Sequence, residues 1–176
     1  MTDAAPQRPA PTGGRPRVLI LGGGFAGVGA AQKLKDADAE VVLVDRNDYH
    51  TFQPLLYQLA TGLLETTGVG HSLRDLLARH GNTTIHKAAV TGVDLDAREV
   101  RFDGLAPIGY DVLVLGLGAE VNYFGTAGAA EHAYPMYTLP HATRLKATGD
   151  IREGERHVEL VVRAGRVNRY EMRIVG

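Results

Sequence analysis

The stretch Arg17-Val18-Leu19-Ile20-Leu21-Gly22-Gly23-Gly24-Phe25-Ala26-Gly27-Val28-Gly29-Ala30-Ala31-Gln32-Lys33-Leu34, followed by Glu40-Val41-Val42-Leu43-Val44-Asp45, decides the architecture. Val18 to Leu21 is an unbroken apolar, β-branched-rich run. Such a run suits a strand buried on both faces, as in a parallel sheet. Gly22-Gly23-Gly24 ends it. Phe25 to Leu34 reads as a helix with a small-residue face, although its glycines lower the local propensity. Ala37-Asp38-Ala39 turns, and Glu40 to Asp45 is a second apolar strand. Strand, glycine turn, helix and strand within about 30 residues make a βαβ unit with a right-handed crossover.

Each glycine of Gly22-x-Gly24-x-x-Gly27 has a physical task. Gly22 makes the tight turn. Gly24 leaves out a side chain where backbone must approach a pyrophosphate. Gly27 lets the helix lie close to the sheet. The helix N-terminus offers unpaired N–H groups and partial positive charge to phosphates. Asp45 ends the second strand, 21 residues after Gly24. An acid about 20 residues on accepts hydrogen bonds from a ribose diol and disfavours a 2′-phosphate. The expected nucleotide is therefore FAD or NAD rather than NADP. The bland competitor is a glycine-rich turn without a ligand. S-adenosylmethionine binding is a further competitor. A P-loop is disfavoured, because no GKS or GKT follows the glycines and Lys33 lies too far along the helix.

Working outward, residues 1–15 hold Pro6, Pro9 and Pro11 and no apolar central run, and read as a flexible arm rather than a signal peptide. Around Pro54, the residues Phe52, Leu55, Leu56, Tyr57 and Leu59 form a dense apolar group. His71 to Arg79 reads as a helix and Thr83 to His86 as a strand. Residues 89–95 and 99–102 read as a hairpin around Asp96-Ala97-Arg98. Asp111 to Leu115 repeats the buried-strand pattern, Thr138 to Arg152 reads as a helix, and His157 to Val162 as a strand. The fold class is α/β: a Rossmann-like FAD/NAD(P)-binding three-layer fold with a small antiparallel β insert, read as truncated. The expected organisation is a nucleotide-binding segment over 16–156, and the start of an incomplete second unit over 157–176.

Composition sets limits. With 44% hydrophobic and 22% charged residues among 176, the chain can build a core. A formal charge of -1 gives no general field for nucleic acid or an acidic membrane. The absence of cysteine excludes disulfides, thiolate nucleophiles and cysteine-ligated iron–sulfur clusters. No apolar stretch reaches the roughly 20 residues of a membrane span. The seven histidines show no metal-ligand spacing, and no G-x-S-x-G elbow is present. His50, between Asp48 and Phe52, is read as structural or solvent-facing rather than cofactor-touching. For Tyr49, Phe52 and Tyr57, core packing is preferred over stacking on a cofactor. Arg144, Lys146 and Arg152, offset by Asp150, Glu153 and Glu155, read as a solvated helix face.

The segments ILGGGFAGVGAAQKL (20–34), VVLVDRNDYHTFQPLLYQLATGLL (41–64) and YDVLVLGLGAEVNYFGTAGAAEHAYPMYTL (110–139) together resemble the type II NADH dehydrogenases. These are single-subunit flavin enzymes that pass electrons from NADH to quinone, within the wider pyridine nucleotide–disulfide oxidoreductase superfamily. FQPLLYQLATG is the most discriminating part. The resemblance implies that Gly22, Gly24, Phe25, Ala26, Gly27 and Asp45 hold the pyrophosphate and adenosine ribose of FAD. Arg46 would flank the adenine, and Ala89 and Val90 would meet it through backbone groups. Pro54 and Leu55 would lie near the flavin, and Gly118 would contact the cofactor through its backbone. Where the family usually reads ATG, this chain has Gly116-Leu117-Gly118, which removes a hydroxyl.

The resemblance also implies NADH and quinone as reaction partners, no catalytic acid of the protein's own, and a cytoplasmic location peripheral to the membrane. Family members carry a second glycine motif for NADH. Here Arg163-Ala164-Gly165-Arg166 follows the strand at 157–162, and the arginines would crowd a pyrophosphate turn. An interrupted or frame-shifted reading of a longer gene would leave this pattern, with the second glycine motif in another frame downstream of Val162. The expected behaviour is an incomplete, inactive fragment that self-associates or needs a complementing second half. The alternative is a stand-alone adenine-dinucleotide-binding module without redox turnover.

Overall fold

Two apolar runs with no charge between their ends pair side by side. In chain order the elements are β1 (Arg17–Leu21), α1 (Phe25–Lys33), β2 (Glu40–Asp45), β3 (Tyr49–Thr51), α2 (Leu56–Ala60), β4 (Gly70–Ser72), α3 (Leu73–Leu76), β5 (Thr83–Lys87), β6 (Val90–Asp94), β7 (Glu99–Phe102), β8 (Ile108–Gly109), β9 (Val112–Leu115), α4 (Ala129–His132), α5 (Leu139–Ala147), β10 (His157–Val162) and β11 (Asn168–Arg173). The computed structural model describes residues 14–147 and the backbone of β10 and β11. The chain divides into two units: Met1–His50 with His71–Gly118, and Thr51–Gly70 with Ala119–Gly176.

The first unit is built on a four-stranded sheet in the order β5-β2-β1-β9. Every pairing in it is parallel, with Leu19 opposite Val42 on one side and Leu113 on the other. Alternation along β1 and β2 divides their side chains between two cores. Val18, Ile20, Val41 and Leu43 pack with Val28 and Ala31 of α1 and with Leu73 and Leu77. Leu19, Leu21, Val42 and Val44 pack with Ala88, Val100, Phe102 and Tyr110. The second core is roofed by an antiparallel sheet in the order β6-β7-β8. The layers are thus helices, parallel sheet and antiparallel insert. Leu19, Ile20 and Leu21 are fully buried, and each such side chain contributes about 1.5–3 kcal/mol by leaving water. At the start of β1, Asp111 accepts from the Arg17 N–H at 2.7 Å and Glu40 accepts from the Arg17 guanidinium at 2.9 Å.

The expected strands and hairpin are present, with some changed limits, but β9 lies at the edge of the sheet with Val112 51% and Leu115 65% exposed, which corrects its reading as a buried strand. The insert gains a third strand, β8. The helix expected over His71–Arg79 spans only Leu73–Leu76: Ser72 caps its start by accepting from the Asp75 N–H at 3.3 Å, and Leu77 closes it. His71 falls in β4.

In the second unit, Leu56, Leu59 and Ala60 form the buried face of α2, and Leu139 and Ala142 that of α5. Tyr57 falls off that face. It is 41% exposed and Phe52 is 38% exposed, which corrects the core-packing reading of both. The expected helix at 138–152 is described as α5, ending at Ala147; its remainder lies outside the described residues. Lys146 reaches Glu65 at 3.3 Å, and the Arg144 guanidinium lies 5.7 Å from the Tyr134 ring centroid. Strand β10 is present as expected, and pairs antiparallel with β11 from His157–Arg173 to Val162–Asn168. The arm at 1–15 lies almost wholly outside the described residues.

Candidate functional site

Three stretches of backbone meet where β1 and β9 end. Gly22 has φ +104°, a conformation that side-chain-bearing residues rarely adopt. A Cβ added there would overlap the Gly116 carbonyl oxygen and lie 2.6 Å from its carbon. A Cβ on Gly27 would overlap the Gly22 carbonyl oxygen and sit 3.2 Å from Ile20 Cγ2. The Gly22 N–H donates to Val44 O at 2.8 Å, and the Gly116 N–H to Leu21 O at 2.8 Å. Gly22 and Gly27 are therefore demanded by the protein's own packing. The place matters too. From β1 the chain builds outward to β2 and β5 on one side, and β9 is added on the other. That is the topological switch point of an open α/β sheet, where ligands bind beyond the carboxyl ends of the strands.

Gly24 is different. Its φ of -76° suits any residue, and a Cβ on it would meet nothing within 4 Å. Nothing in the protein requires glycine there, so the omitted side chain leaves room for something outside the chain. Gly24 is also the N-cap of α1. No side chain caps that helix, and no acidic residue lies in its first turn. Phe25, half exposed, and Ala26, exposed, flank the opening. An uncapped N-terminus with room above it suits an anion. The residues present thus fit the pyrophosphate of a dinucleotide.

Asp45 stands beside this turn. Its Oδ2 accepts from the Gly23 N–H at 2.6 Å, and its Oδ1 from the Asn47 N–H at 2.6 Å. The carboxylate ties the turn to the exit of β2. An ionised carboxylate offers about four lone-pair sites, so both oxygens retain capacity for a ribose hydroxyl. The Gly23 carbonyl in turn accepts from His50 Nδ1 at 2.9 Å. A Cβ on Gly23 would lie 2.7 Å from Leu73 Cδ1. His50 is 7% exposed and meets Phe25 edge-on, with centroids 4.9 Å apart and planes at 89°. Next to it, burial pushes the Tyr49 phenol up from its ordinary value, with the Asp48 and Asp45 carboxylates adding to the effect.

The other expected residues are placed as follows. Arg46 is exposed directly after Asp45. Ala89 is exposed, and its carbonyl accepts from the Asp103 N–H at 2.9 Å. Val90 is half-buried and opens β6. Gly118 is exposed with φ +77°. Pro54, exposed, and Leu55, half-buried, belong to the second unit, in a 3-10 turn at Gln53–Leu55. There the Gln53 amide donates to Tyr137 O at 3.2 Å. His50, Leu73 and Gly116 are parts of the glycine turn that spacing did not reveal. Gly116 left a trace, as the glycine that closes the apolar run of β9, and His50 as the histidine singled out between Asp48 and Phe52, without a link to the turn.

A glycine turn at the switch point of a parallel sheet, with an acid ending the neighbouring strand, defines a dinucleotide-binding α/β fold. Residues 16–163 match the family described as pyridine nucleotide-disulphide oxidoreductase. The chain belongs to that family. It is 38% identical over 141 residues to the type II NADH:quinone oxidoreductase NdhA of Mycobacterium tuberculosis, covering 78% of this chain and 30% of the relative. It is 33% identical over 145 residues to the demethylphylloquinone reductase NdbB of Synechocystis sp., covering 77% and 36%. Among solved structures, the sulfide:quinone oxidoreductase of Aquifex aeolicus superposes with a TM-score of 0.69 at 27% identity, over 76% of this chain and 31% of that one. The chain thus spans about a third of the length of these relatives. Among the described residues, no helix is long and apolar enough to cross a membrane.

Proposed function

We propose that the first unit binds the ADP half of FAD, and that the chain is the FAD-binding part of an NADH:quinone oxidoreductase. The observation that carries this reading is the space at Gly24 above an uncapped helix. Gly24, Phe25, Ala26 and Gly27 present the first-turn backbone to the pyrophosphate. Asp45 accepts from the adenosine ribose. Arg46, Ala89 and Val90 border the adenine, and Gly118 contributes backbone at the end of β9. A bound flavin supplies two-electron redox chemistry, and the chain's part is to hold, orient and shield it.

The choice of NADH and quinone as partners, and a place on the membrane periphery, rest on the relatives' names and on the resemblance. Residues 157–176 hold no assigned NADH site.

The test is reconstitution of the purified, folded chain with FAD, followed by gel filtration and an absorption spectrum. Flavin that co-elutes supports the reading, and folded protein without flavin refutes it. A second reading is a module that binds the ADP part of any adenine dinucleotide without turnover. It is favoured by the placement of Gly22, Gly24, Gly27, Asp45, Ala89 and Val90 all in the first unit. Equal affinity for ADP-ribose and FAD would select it.

A further inference from the structure

We propose that His50 is a positioning residue for the anion-binding turn: it fixes the Gly23–Gly24 peptide so that the Gly24 N–H faces away from the protein interior. This rests on the cofactor reading above, and goes beyond it by assigning a residue outside the glycine motif to the phosphate site.

Gly23 is held at both of its polar ends. Its N–H donates to Asp45 Oδ2 at 2.6 Å, and its carbonyl lies 2.9 Å from His50 Nδ1. A carbonyl can only accept, so Nδ1 carries the hydrogen. The peptide group is planar, and the described chain has no cis bond. In a planar trans peptide the C=O of one residue and the N–H of the next point in opposite directions. Drawing the Gly23 carbonyl toward the buried imidazole therefore turns the Gly24 N–H the other way. Gly24 is the residue whose missing side chain leaves open space.

The ring is also gripped from the far side of Gly24. Phe25, the first residue of α1, meets it edge-on at 4.9 Å. One buried side chain thus contacts the residues before and after the one that faces the ligand. His50 is itself buried, with only 7% of its surface exposed. It spends that burial on the one peptide whose reversal would replace an N–H with a carbonyl oxygen at the anion site. Glycines on both sides of a peptide permit such a reversal, because neither resists positive φ. An anchor is accordingly needed.

The experiment compares the full chain with His50→Asn and His50→Leu. Asparagine Nδ2 can donate from nearly the position of Nδ1; leucine keeps bulk without a donor. In the free protein, nitrogen NMR should find a proton on His50 Nδ1. The Gly24 amide signal should move in His50→Leu and return toward its wild-type position in His50→Asn. FAD affinity should fall by about tenfold or more in His50→Leu, the worth of one amide–anion hydrogen bond, and by less than about threefold in His50→Asn. A merely structural histidine would lower thermal stability in both variants without restoring the amide signal or the affinity in His50→Asn. That outcome, or an unprotonated Nδ1 in the wild type, overturns the proposal. If His50→Leu does not fold, the Nδ1 proton and the His50→Asn affinity still decide it. A folded wild type that binds no FAD refutes the cofactor reading and the ligand half of this inference, while the Gly24 amide signal decides the peptide anchor separately.

Discussion

Gly24→Ala and Gly27→Ala add the same methyl group three residues apart, and the structure assigns them opposite consequences. At Gly27 the new Cβ would overlap the Gly22 carbonyl oxygen and stand 3.0 Å from its carbon. That obstacle is backbone at the end of a fully buried strand, so it cannot rotate aside. Overpacking of this kind costs about 1–3 kcal/mol, against a helix-propensity gain of about 1 kcal/mol for replacing glycine. Because the obstacle is backbone, the cost falls at the upper end of that range, and the net expectation is a loss of about 2 kcal/mol, with or without ligand. At Gly24 the Cβ meets nothing within 4 Å and φ is already compatible. An entropic gain of about 0.4–1 kcal/mol is offset by the weaker N-cap preference of alanine. Stability should stay within about 1 kcal/mol of wild type. The methyl group then occupies the approach of the pyrophosphate, and FAD affinity should fall at least about tenfold, or about 1.4 kcal/mol. Urea unfolding gives the stability and flavin fluorescence titration gives the affinity. Undiminished FAD affinity in Gly24→Ala, with Gly27→Ala as stable as wild type, would refute the division of labour among the glycines.

Other perturbations test the surroundings. Asp45→Asn replaces the charged acceptor of two 2.6 Å hydrogen bonds and should cost about 1–3 kcal/mol in urea unfolding, besides weakening FAD. Gly23→Ala should destabilise by about 1–3 kcal/mol through contact with Leu73, and Leu73→Ala by about 2–5 kcal/mol through loss of a fully buried side chain. The double variant should cost less than their sum, and strict additivity in a double-mutant cycle would contradict the contact. A hydrogen bond from Lys87 holds the exposed Asp48 carboxyl below its ordinary value of 3.8. A depressed folded-state value adds stability above the ordinary value, and that stability is lost as pH falls through the depressed one. Lys87→Ala should therefore raise the Asp48 midpoint in a carbon NMR titration. Any stability difference from wild type should appear above about pH 4 and vanish in stronger acid.

The parts of the fold legible in sequence are those in which one physical requirement dominates. Val18–Leu21 and Val41–Val44 are apolar at every position because β1 and β2 are covered on both faces; Val112–Leu115 carries the same pattern without the burial. Gly22 and Gly27 are legible because backbone packing allows no Cβ. What sequence left hidden depends on tertiary partners. Strand β8 has only two residues, too few for alternation to show. The start of α3 depends on the cap formed by Ser72. Phe52 and Tyr57 look like core by composition, yet Leu56, Leu59 and Ala60 take the buried face of α2. His50 lies 27 residues from the carbonyl it contacts, and no spacing rule links a histidine in the middle of a three-residue strand to a glycine turn. Asp45 was legible as an acid at the right place, but its grip on the Gly23 N–H was not, because that bond depends on how β1 and β2 are registered.

The most direct test of the account is equilibrium FAD binding by the folded chain, measured in competition with ADP-ribose and with riboflavin. If the glycine turn, Asp45 and the edge of the β6–β7 hairpin recognise the ADP half, ADP-ribose displaces FAD and riboflavin does not. Folded protein that binds no FAD, or FAD displaced by riboflavin and not by ADP-ribose, would contradict it.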